Sequence, residues 1–117
     1  MSESRLNREE RIIAMAGGDR ELGAELARIF LSHYEGMHQE LKAAVMGGDP
    51  LEVRRMVHTI EGSLGAMGSL DSISALMELG QAGRDLETSL FLPLFLKYEK
   101  AILSSNEMLK EIALSLD

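Results

Sequence analysis

Apolar residues recur along most of the chain at three- and four-residue steps, the spacing that turns one face of a helix toward a core. From about Arg20 to Met46 the stripe runs through Leu22, Leu26, Ile29, Phe30, His33, Met37, Leu41 and Ala44. Val53, Val57, Ile60, Leu64 and Met67 follow at steps of 4, 3, 4 and 3, a seam of the kind that helix bundles bury. Ile73, Leu76, Met77 and Leu79 give a fourth helix its inner side until about Arg84. Leu94, Phe95, Tyr98, Ile102, Leu109, Ile112 and Leu116 do the same for a fifth that runs almost to Asp117. No stretch alternates with the period of two that a half-buried strand needs.

The punctuation between these stripes is short. A first helix is predicted from about Arg8 to Ala16, preceded by a frayed start and stopped by Gly17-Gly18. Asp19 is a good N-cap for the second helix, and Gly47-Gly48 ends it. Asp49 caps the third, with Pro50 at its first position and Glu52 where a capping box wants it. Gly68-Ser69 closes the third helix, and Ser69 can cap the fourth. Proline is tolerated only in a helix's first turn, so the fifth starts between Thr88 and Pro93. Long amphipathic helices joined by short loops predict an all-α fold, an antiparallel up-down-up-down four-helix bundle over residues 19–117. Residues 1–18 would supply a short helix capping one end.

Composition narrows the chemistry. A chain of 117 residues is one domain's worth, and 45% hydrophobic with 26% charged residues is globular rather than disordered. Twelve basic against nineteen acidic residues leave a charge of −7, which argues against a nucleic-acid partner. With no cysteine there is no disulfide, thiol nucleophile or Cys-based metal site. The longest apolar run, Leu90 to Leu96, contains Pro93 and is too short to span a bilayer. The polar opening MSESRLNREER is not a signal peptide. A cytoplasmic, free-standing monomer with no membrane contact is expected.

His33 lies on the apolar stripe and reads as a core-edge residue, whereas His38 lies off it and reads as surface. The three histidines form no i, i+4 pair and no HExxH, so neither a metal site nor a bound cofactor is expected. Glu35 and His38 are the only Glu-x-x-His spacing, and a di-metal bundle needs two. The eight methionines read as adaptable core filler.

One stretch breaks a local rule. His58 to Gly68 continues a strong apolar seam yet carries glycines at 62 and 65, each costing up to about 1 kcal/mol relative to alanine in a helix interior. At about 100° per residue, His58 falls roughly 140° from the seam and faces solvent. Arg54, Glu61, Gly62 and Gly65 stand at i−4, i+3, i+4 and i+7 from it, so two of its four face neighbours have no side chain. An imidazole flanked by bare backbone is open to a second protein, and a ring with pKa about 6.5 is largely neutral and nucleophilic near neutral pH.

The segment HTIEGSLGAMG, residues 58–68, resembles the motif of histidine-containing phosphotransfer (HPt) domains, H-x-[LI]-K-G-[SA]-[SA]-x-x-[LIM]-G. The lead-in GGDPLEVRRMVH and the later GQAGRDLE are also similar to that family, and the resemblance spans roughly residues 20 to 115. It implies that His58 takes a phosphoryl group from the aspartate of one receiver domain and passes it to the aspartate of another. The receiver, part of a response regulator or hybrid sensor kinase, would supply Mg²⁺ and the catalysis, so the chain would be a carrier rather than an enzyme. Apolar surface near His58 would dock a receiver helix. The family's lysine three residues after the histidine is Glu61 here, a carboxylate one turn from the phosphoryl position. Arg54, on the same face, and Arg84, if its helix packs alongside, would offset that charge. Glu61 also leaves a second expectation, an HPt-like adaptor that binds receiver or kinase domains without transferring phosphate.

Overall fold

Capping side chains set the starts of four helices. In the computed structural model, which describes residues 3–117, Ser4 accepts a hydrogen bond from the Asn7 amide and opens α1 (Arg5–Met15). Asp19 accepts from the Leu22 amide at the head of α2 (Arg20–Met46), and Asp49 accepts from Leu51 and Glu52 at the head of α3 (Pro50–Leu64). Ser69 does the same for Ser72 in α4 (Leu70–Arg84). A single 3₁₀ turn, Thr88–Leu90, leads into α5 (Phe91–Leu116), where Pro93 sits in the first turn. The described residues are all helix and connecting turns, with no strand.

The helices form a ring. α2 packs against α3 and α5, and α4 packs against those same two, while α1 lies across α2 and α5. The core runs through Val53, Met56, Val57, Ile60 and Leu64 of α3, Leu76 and Leu79 of α4, and Phe95, Tyr98, Ile102, Leu109 and Ile112 of α5. Among the described residues, no helix is long and apolar enough to cross a membrane.

Four boundaries or faces differ from the sequence reading, one of them Met77, expected on the inner side of α4 and exposed there. α1 begins at Arg5 rather than near Arg8, because Ser4 caps it and Arg11 ties Glu3 back onto the helix. α3 ends at Leu64, not at Gly68. Gly65 has φ +44, a backbone conformation that L side chains rarely adopt, and it turns the chain out of the helix.

The last difference is the inner face of α2, which runs through Ala24, Ala27, Phe30, Tyr34, His38, Leu41 and Val45, leaving Leu22, Ile29 and His33 exposed. His38, expected at the surface, is buried. Its ring lies 5.3 Å from those of Tyr34 and Phe95, and its Nε2 meets Glu99 Oε2 at 2.8 Å. That partner is what lets an imidazole occupy a core position.

α1 is fastened by arginines. Arg8 is fully buried and donates to the carbonyl of Ser105 at 2.7 Å and to that of Met67 in the α3–α4 turn. Burial lowers its pKa to about 10, with Arg11 pushing the same way and Glu3 opposing. Arg11 donates to the carbonyl of Gly68 in the same turn.

Candidate functional site

α3 carries His58 on its outer side, fixed by the seam beneath it. Val57 and Ile60 are buried while His58, Thr59 and Glu61 are exposed. Among the described residues, no hydrogen bond or ion pair engages the His58 ring. It lies in a shallow groove with Leu51, Glu52, Arg54, Arg55 and Arg84.

Two close approaches bring Arg84 there. A Cβ placed on Gly80 would come within 2.9 Å of Val57 Cγ1, and one on Gly83 within 2.9 Å of Arg54 Cγ. α4 therefore lies against α3 at a distance that only glycine permits. The consequence is that the last residue of α4 reaches the groove.

The groove is cationic. Arg55 donates from Nε at 3.0 Å and Nη2 at 2.9 Å to Glu52, and these hydrogen bonds hold the exposed Glu52 carboxyl below its ordinary pKa. Arg84 donates to Gln81 Oε1, a neutral partner. Among the described residues, neither Arg54 nor Arg84 meets a carboxylate. Two guanidinium groups without a carboxylate partner therefore face the same space as the imidazole, an arrangement suited to a small dianion such as a phosphoryl group.

The glycines beside His58 have different reasons. Gly62 lies in the last turn of α3, and a Cβ there would meet nothing within 4 Å. Close packing is therefore not why the residue is glycine. Gly65 is required by its positive φ at the turn that ends α3. Glu61 is exposed and lines a separate depression with Leu64, Gly65, Ile73 and Met77.

On the opposite flank of α3 is an apolar cavity of about 320 Å³. Met15, Leu26, Ile29, Phe30, His33, Met37, Ser63 and Met67 line it. His33 is thus an exposed groove residue rather than a core-edge one. Among the described residues, no three His, Asp or Glu side chains gather as a metal ion would need.

Sequence reasoning did not single out Arg55, Gly80 or Gly83. The signal for the glycines was in the string GQAGR: two glycines three residues apart share a helix face. Set against known proteins, the chain matches no family model, no curated protein and no solved structure.

Proposed function

We propose that the chain is a histidine phosphotransfer protein of a two-component phosphorelay, with His58 as the phosphoacceptor. The observation that carries the reading is the groove itself: an exposed, unpartnered imidazole shares it with Arg54, Arg55 and Arg84, beside a glycine that packing does not require. In the transfer, the unprotonated ring nitrogen forms a bond to phosphorus. The bond from phosphorus to the donor aspartate breaks, and that carboxylate leaves with the electron pair. The reverse step loads a second receiver. The partner supplies Mg²⁺ and the catalytic acids, and this chain supplies the nucleophile and the two guanidinium groups that hold the phosphoryl oxygens.

The apolar cavity beside Ser63 serves the docking of a receiver helix. The frame for both is an up-down-up-down arrangement of α2 to α5 with α1 capping one end, in a cytoplasmic protein. The ring of pairwise helix contacts and the short turns support that arrangement. The test is incubation with a phosphorylated receiver. Label that is acid-labile and absent from the His58→Gln variant is the expected result, and label surviving in His58→Gln overturns the assignment.

Glu61 gives a second reading a specific footing, since a carboxylate stands where the family has lysine. Receiver binding without any label would identify an adaptor. The phosphoacceptor reading is preferred because Glu61 lines a different depression from His58.

A further inference from the structure

α5 hides one side and exposes a line of leucines on another. Leu92, Leu96, Leu103 and Leu114 are 46%, 51%, 55% and 78% exposed. At about 100° per residue they fall within an arc of roughly 40°. Singly exposed leucines are ordinary on a soluble protein. Four in register along one helix, interrupted by Lys110 at the same angle as Leu92, form a seam on which nothing packs.

The charges beside the seam indicate what covers it. α5 runs from Phe91 to Leu116, so its midpoint falls between Leu103 and Ser104. A two-fold axis through that point, with two copies of α5 antiparallel, sets Leu103 against its own copy and Leu92 beside Leu114. It also brings Lys100 level with Glu107. By the same arithmetic Lys100 and Glu107 lie on one flank of the seam, roughly 80° and 60° from Leu92. In an antiparallel pair like flanks face each other, so the two ends make two identical Lys–Glu pairs, the self-complementarity that a two-fold interface requires. Glu107 now has only an exposed contact with Lys110 at 3.2 Å.

We infer that the outer face of α5 is a homodimer interface, with a second copy of this chain as its occupant. α5 and α3 pack against the same two helices, α2 and α4, which sets them diagonally across the ring. Dimerisation through α5 therefore leaves His58 and its groove uncovered. The sequence reading expects a monomer, and the α5 seam favours the dimer instead. The seam is independent of the phosphotransfer reading, so one can fail while the other stands.

The experiment is sedimentation equilibrium on the full chain over a range of micromolar concentrations. The expected result is a mass approaching twice 12.9 kDa. Leu103→Lys, at an exposed site, should give a monomer with unchanged circular dichroism and unchanged His58 labelling. Lys100→Glu should weaken the dimer at least several-fold, and adding Glu107→Lys to it should restore association. A monomer at every concentration overturns the inference, and so does a dimer indifferent to Leu103→Lys.

Discussion

At residue scale the informative position is Gly62. Its surroundings would accept a methyl group, and a glycine in a helix is less stable than alanine by up to about 1 kcal/mol. Gly62→Ala should therefore raise stability by a few tenths to about 1 kcal/mol in chemical denaturation, while slowing phosphoryl transfer to His58. A stabilised variant with undiminished transfer would remove the reason given for that glycine. His58 and Gly62 were legible because an exposed histidine and a bare position four residues on can be found by counting. The exchange of His33 and His38 was not. Periodicity placed the stripe of α2 about a residue away from where the aromatic rings of α5 and the Glu99 carboxylate draw it, and those partners lie some sixty positions along the chain.

At element scale the N-caps were read well, but Glu52, expected to complete a capping box with Asp49, pairs with Arg55 while the Asp49 amide bonds to the Ala44 carbonyl. Asp19, Asp49 and Ser69 start the helices assigned to them, because an N-cap and its amide partners lie within four residues of one another. The end of α3 was misplaced because its apolar spacing continues to Met67, which is buried from within the turn rather than from the helix. Lateral spacing between helices was not legible, and it is what puts Arg84 beside His58. Gly80 governs that spacing. Val57 is β-branched and buried, so it has few alternative positions. Gly80→Ala should cost about 1–3 kcal/mol, seen as a lowered denaturation midpoint, and should move Arg84 away from the groove. An unchanged midpoint would mean that α4 can shift away from α3 freely.

Across the whole molecule, the two tyrosines make alkaline stability a readout of the core. Tyr34 and Tyr98 are buried with hydroxyls that find no hydrogen-bond partner among the described residues, and burial pushes both pKa values well above the ordinary value of about 10. Nearby carboxylates reinforce the shift at Tyr34, and Tyr34 itself does so at Tyr98. Above pH ~10 the unfolded chain releases phenolic protons that the folded chain retains, so stability falls as pH rises. Arg8, whose pKa is lowered, acts in the opposite sense, one group against two. With no tryptophan present, ultraviolet absorbance reports the tyrosines cleanly. Phenolate should appear together with the loss of helical dichroism, and phenolate forming while the helices persist would contradict the burial. The arginine fastening of α1 bears on how the molecule can be cut. An expressed fragment starting at residue 19 would deprive the Met67, Gly68 and Ser105 carbonyls of their arginine donors and remove Ile12, a fully buried part of the core. The eighteen leading residues, which look expendable in the primary structure, therefore belong in any version of the protein made for the bench.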